Sequence, residues 1–416
     1  MESVNSASPA RPSGDSAQGR GHPGDAVSGY LLGFILIGMG LTISGPGLSH
    51  LRDRMHTDDG GIAWVFVGGS VGYILGSAFA GRGLDHGHGH RRWSIAMFVI
   101  TGSVVLVSIA PNLPMLVLAF AVMGVASGLS DVSGNTLVMW SRPDGAGRLL
   151  NALHLCFAIG AVCAPIFVNR SIHWFDSLWG MVLPIGALAI VSSLLMLRHE
   201  APVRTRLDTL ERSNSGGARA MHVGLVAAFF FAYVALETGF AGWIHTYVEQ
   251  IGFGDATTAT AIVTVFWFGF MSGRVAAIWI ASFMSPGWMV AASMMVSVGA
   301  SMLLFAFRGP GAMLWVVTFL FAVSIAPQYA SMMAFAESHL ALSGKNTSVF
   351  IAASGVGGLL MPWTLGQLFD AIGPEALPPV MVVTAVATAA IALAAGRALL
   401  RADQRPPVTS MNEPVM

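Results

Sequence analysis

Apolar residues run through this chain in long stretches, without the alternation of a strand or the narrow stripe of a soluble helix. About 20 mostly apolar residues are enough to cross a bilayer as a helix. On that measure the sequence predicts twelve spans, near residues 27–51, 60–81, 93–110, 113–140, 148–168, 175–198, 221–249, 257–282, 286–307, 311–337, 345–370 and 375–401. The tightest separations are Pro111 to Pro114 and Arg308 to Gly311. The opening residues, to about 26, are rich in Ser, Gly, Pro and Ala and read as a disordered tail. They lack the charged start and cleavage site of a signal peptide, so the first apolar run is expected to persist as a span.

Charge orients these spans. An even number puts both termini on one side. With that side cytoplasmic, only Arg52, Arg54, Arg170 and Arg308 of the 21 Lys and Arg fall outside. The positive-inside rule therefore predicts cytoplasmic termini in a multi-pass plasma (inner) membrane protein. The longest connection, 199–220, carries Arg204, Arg206, Arg212 and Arg219 and follows the sixth span. A charged linker there divides the chain into a six-helix bundle at 27–198 and a second at 221–401, with a tail at 402–416.

Composition agrees. The chain is 54% hydrophobic and 10% charged, against roughly a quarter charged in soluble domains. Its 49 glycines are spread through apolar runs, which suits close helix packing in lipid. Net charge is zero, so nothing points to nucleic acid. Cys156 and Cys163 are seven apart on one predicted helix, about 10 Å, too far for a disulfide.

Several strings narrow the picture. Span two ends in Gly76, Gly81, Gly83, Asp85, Arg91 and Arg92, and span eight ends in Gly273-Arg274. Glycines there let helices approach, while Asp85, Arg91, Arg92 and Arg274 could form a charged cytoplasmic latch. The pattern resembles the loop motif of the major facilitator superfamily. His86, His88 and His90 interrupt it and read as a solvated turn, since no fourth ligand supports a metal site. Asp131 to Asn135, Asn151 to Gly160, Tyr233 to Tyr247, Ser324 to Pro327 and Ser354 to Gly366 together resemble the fucose permease and sodium-dependent glucose transporter branch of that superfamily. The resemblance implies a twelve-helix, all-α fold of two pseudo-symmetric bundles. It also implies H+- or Na+-driven transport of sugars or similar solutes, with the key acid and amide of span four at Asp131 and Asn135. One departure is that the first span, around Phe34 to Thr42, has no acid where the fucose permease carries one.

The residues themselves point the same way. Nearly all acids fall in loops or at helix ends; Asp131 and Glu237 do not. A charge at the bilayer centre costs at least roughly 2.5–3.5 kcal/mol, so such residues face a partner or a wet cavity. Each could hold a proton, bind Na+ or accept a sugar hydroxyl. Asn135 lies four residues after Asp131 and shares its helix face. Trp243 lies on the general face of Glu237 and could stack on a sugar ring. Its alternative is an interfacial anchor. Asn151, His154 and Gln328 complete the expected substrate-binding set. His154 could equally be a core histidine, and Gln328 follows the helix-breaking Pro327. The expected function is a cation-coupled sugar symporter working by alternating access, without cofactor, partnered by lipid and solute, and monomeric. The alternative is an exporter of drugs, lipids or other amphipathic compounds. No metalloprotease, nucleophile-elbow or phosphate-loop motif supports an enzyme.

Overall fold

In the computed structural model, residues 23–80, 88–141, 146–202, 217–307, 311–340 and 344–403 are described, and every regular element among them is helical. The first half comprises α1 (Pro23–Leu41), α2 (Ser44–Arg54), α3 (Asp59–Ile62), α4 (Trp64–Ala80), α5 (Gly89–Ile109), α6 (Leu113–Ser141), α7 (Ala146–Phe175) and α8 (Val182–Leu197). The second comprises α9 (Gly217–Gln250), α10 (Ala256–Ile280), α11 (Pro286–Ala306), α12 (Met313–Ile325), α13 (Gln328–Leu340), α14 (Gly344–Ile372) and α15 (Leu377–Asp403). Eleven helical stretches are long and apolar enough to span a membrane, and α1 with α2 makes a twelfth, bent by about 40°. The chain is thus a multi-pass integral membrane protein. We call the face where α1 begins and α15 ends the terminal face, and the opposite one the far face.

Proline sets two of the breaks inside predicted spans. Pro46 cannot donate to the carbonyl of Thr42, and its ring crowds that carbonyl. The helix therefore stops at Leu41 and restarts at Ser44. Gly45 then lets α2 lean across onto the second bundle: a Cβ there would lie 2.7 Å from the Ala241 carbonyl oxygen of α9. Pro327 acts in the same way on Val323, separating α12 from α13.

Glycine sets the spacing of the helices. A Cβ on Gly72 would sit 2.0 Å from the Ala121 carbonyl oxygen, and one on Gly76 2.0 Å from that of Val125, so α4 and α6 touch backbone to backbone. Gly38 and Gly160 do the same between α1 and α7, and Gly357 between α14 and α9. Lipid gives no hydrophobic reward for pairing helices, so close packing of this kind has to supply the attraction. Large apolar side chains such as Leu183, Met295 and Val383 are left exposed for lipid, with exposed Trp174 near the far face and Trp279 and Trp288 near the terminal face.

Gly72→Val should lower the thermal midpoint of the detergent-purified protein sharply or abolish its monodisperse form, because overpacking against backbone costs at least about 1–3 kcal/mol. Gly102→Ala, where nothing lies within 4 Å, should leave that midpoint unchanged or slightly raised. Equal effects would show that the glycine seams do not set stability.

Candidate functional site

The two bundles are locked together at the far face by polar side chains. The first N–H groups of a helix have no intrahelical partner and favour an anion. Those of α3 find one in the opposite bundle: Asp370, near the end of α14, accepts from the Asp59 N–H at 2.8 Å and also from the Gly60 N–H. Gln367, one turn earlier, donates to the Gly60 carbonyl at 3.0 Å. The Asp59 carboxylate in turn accepts from Arg52 at 2.9 Å and from Gln250 of α9 at 2.6 Å. Ser49 of α2 donates to Glu249 of α9, which lies 3.4 Å from His245.

Trp243 sits beneath this network, and the structure corrects its expected role. Its side chain is fully buried, its Nε1–H donates to the Pro362 carbonyl at 2.8 Å, and its ring packs against Phe369 and, across the seam, Phe66. It is neither a platform facing a solute nor an anchor at the membrane edge. Glycine at 366 leaves room for its ring.

Deeper in the molecule a set of polar residues lies within hydrogen-bond or electrostatic reach of one another, and we call the region they share the chamber. The α4–α6 glycine seam holds Tyr73 against α6, where its hydroxyl donates to Asp131. Asn135 donates to the Asp131 carbonyl at 2.8 Å and to its carboxylate at 3.0 Å. In the second bundle, Tyr233 stands one turn before Glu237, and its buried hydroxyl has the Glu237 carboxylate beside it. Arg274 of α10 acts electrostatically on Glu237, Tyr233 and, across the seam, His154. Tyr329 of α13 links the two sides: it lies within electrostatic reach of Asp131, Glu237 and Arg274. Asp131, Asn135, His154, Glu237, Arg274 and Tyr329 are all partly exposed. Next to them a cavity of about 270 Å³, lined by His154 and Arg274 with Val275, Ile278, Met289 and Ala330, lies on the terminal-face side.

Other expected residues are placed elsewhere. Gln328 is fully buried and points into its own bundle, donating to Ser297 and to the Ser324 carbonyl at 3.2 Å each, so it does not line the cavity. Pro327 turns the chain so that its neighbour Tyr329 faces the chamber instead. Arg274 belongs to the chamber and not to a latch with Arg91 and Arg92, which are exposed at the start of α5. Asp85, His86 and the side chain of Asn151 lie outside the described residues. His90 is not solvated: it is buried, bonded to the Tyr30 hydroxyl at 2.8 Å and to the His199 carbonyl at 2.8 Å. Cys156 and Cys163 are free thiols.

Sequence reasoning missed Tyr73, Tyr329 and the far-face lock. A usable signal was the scarcity of tyrosine: three of the chain's five stand at this chamber.

Two helical bundles locked at one face around a polar chamber define a membrane transporter of the alternating-access kind. The sequence profile of the Major Facilitator Superfamily matches residues 30–362, and the chain belongs to that family. It is 25% identical over 378 residues to the sodium-dependent glucose transporter 1 of Xenopus laevis, covering 84% of this chain and 76% of that protein. Against the mouse sodium-dependent glucose transporter 1A the identity is 24%, covering 80% and 87%. Among solved structures, a bacterial homologue of the human lysosomal transporter Spinster, inward-facing and unoccupied, has the same fold (TM-score 0.73, 13% identity, covering 95% of this chain and 100% of that one). So does the E. coli fucose:proton symporter (TM-score 0.63, 18% identity, 89% and 97%).

Asp370→Ala should open the far face. In a background with Cys156 and Cys163 replaced by alanine, a cysteine in place of Phe66 should react with a hydrophilic maleimide several-fold faster when Asp370 is removed. Unchanged labelling would show that the seal does not depend on that carboxylate.

Proposed function

We propose that this protein is a cation-coupled symporter, using H+ or Na+, of a sugar or similar small polar solute. The observation that carries the reading is the chamber itself, where two carboxylates, an arginine, a histidine and two tyrosines at partly exposed positions within the spans converge with the buried Tyr233. Sugars need this mixture of acceptors and donors, and a buried carboxylate bonded only by neutral groups needs an ion. The names of the relatives support both solute and coupling. With the termini cytoplasmic, as the arginine distribution favours, the far face is extracellular and the chamber faces inward. The protein acts as a monomer in the plasma membrane, with solute bound between the bundles and released as they rock.

One observation favours a second reading. The cavity wall near the terminal face is largely apolar, with Val275, Ile278, Met289 and Ala330, which would suit an exporter of amphipathic compounds. Binding separates the two. In a thermal-shift screen of purified protein, a sugar present at about 100 times its Kd adds about 2.7 kcal/mol of stability. Sugars should stabilise the protein in a Na+- or pH-dependent way. Stabilisation by amphipathic compounds alone would favour the exporter.

Asp131→Asn should abolish concentrative uptake in proteoliposomes while leaving folded protein and solute exchange down a gradient intact. Wild-type accumulation by this variant would overturn the coupling role of Asp131.

A further inference from the structure

The three charged side chains of the chamber are not alike in their surroundings. Asp131 is bonded by a tyrosine hydroxyl and an amide, and no cation acts on it. Glu237 has a cation in reach, Arg274, yet among the described residues no carboxylate lies within 4.0 Å of that guanidinium. Arg274 rests over the Phe270 ring, 4.7 Å from its centroid, and its Nε is buried without a partner. The Tyr233 hydroxyl is also buried, makes no bond of good geometry, and has the Glu237 carboxylate beside it. A buried donor left unbonded is costly, and two such donors on side chains that act on Glu237 mark a space built for polar atoms the protein does not itself supply.

We propose that Arg274 and Glu237 are a compensated charge pair held apart across this space, that the solute's hydroxyls bridge them with Tyr233, and that the coupling cation is therefore left to Asp131 alone. The proposal rests on the symporter reading and deepens it. Arg274 acts as a positioning residue: its charge balances Glu237 throughout the cycle, so Glu237 serves as a fixed acceptor for solute and not as a carrier of the ion. Asp131 has no such partner and gains one only when a proton or Na+ arrives.

The groups facing the pair are few. Tyr233 comes from α9 itself, Tyr329 from α13 and His154 from α7, while among the described residues α14 and α15 contribute no charge that acts on Glu237. Removing one partner of a buried pair leaves the other uncompensated, whereas removing both does not.

The test uses the full chain, purified and without solute, so its outcome does not depend on naming the solute. Thermal midpoints of wild type, Glu237→Gln, Arg274→Gln and the double variant are compared across pH. Each single variant should fall by roughly 3–10 °C near neutral pH, and the double should lie closer to wild type than either. Acidification should restore Arg274→Gln, because a proton neutralises the abandoned Glu237. It should not restore Glu237→Gln or alter the double in the same way, and Arg274→Lys should behave as wild type. Additive losses, or an Arg274→Gln pH profile parallel to that of the double, would overturn the pair. Failure of the sugar screen with the pair intact would instead count against the symporter reading.

Discussion

Hydrocarbon forms no hydrogen bonds, and most of this structure can be understood as a response to that fact. Backbone groups are satisfied inside helices, which leaves side chains and helix ends as the groups still needing partners. The glycine seams settle where those partners are found. Because Gly72, Gly76 and Gly128 bring α4 and α6 into backbone contact, Tyr73 is close enough to donate to Asp131. A bulky residue in the seam would separate the helices and leave the carboxylate short of a donor. Packing and chemistry in the first bundle therefore have one cause.

The two faces differ in what holds them. At the far face the bundles are joined by individual bonds, from Asp370, Gln367, Gln250 and Ser49, over a plug of aromatic rings around Trp243. Each ordinary hydrogen bond contributes only about 0.5–1.5 kcal/mol net. A handful of them makes a seal firm enough to define a state and weak enough to reverse. An apolar seam of the same area would be harder to break, since water entering it gains nothing. A ligand can bias such a balance only by its difference in affinity for the two states. The chamber shares helix α9 with the seal, through Tyr233 and Glu237 on one side and Trp243, Glu249 and Gln250 on the other.

The number and order of spans were legible in the sequence because each is a long apolar run, and so were the two mid-span acids, because lipid makes them conspicuous. What could not be read was direction around a helix axis. Gln328 and Tyr329 are neighbours, and Pro327 decides which of them faces the chamber. Trp243 follows Glu237 on a plausible face, but the far-face lock closes over it. Arg274 lies near the end of its helix and so resembled a latch residue, although its charge acts on Glu237. The lock itself was invisible because its members, Asp59, Glu249 and Asp370, look like ordinary loop acids until the bundles are docked.

Which contacts cross between the bundles decides what a rocking motion can change. Tyr73, Asp131 and Asn135 all belong to the first bundle, and Tyr233, Glu237 and Arg274 all to the second. If each bundle moves as a body, the immediate bonds of both acids travel unchanged. Besides the far-face bonds, the interactions that must alter are those of the chamber that cross the seam, namely Tyr329 with Asp131 and His154 with Arg274. Tyr329 is then the group through which the first bundle's acid senses the second bundle. Neutralising Asp131 would remove a charge that Tyr329 faces across the seam. In the symporter proposed above, coupling between ion and solute would need such a shared group, and Tyr329 is placed to be one.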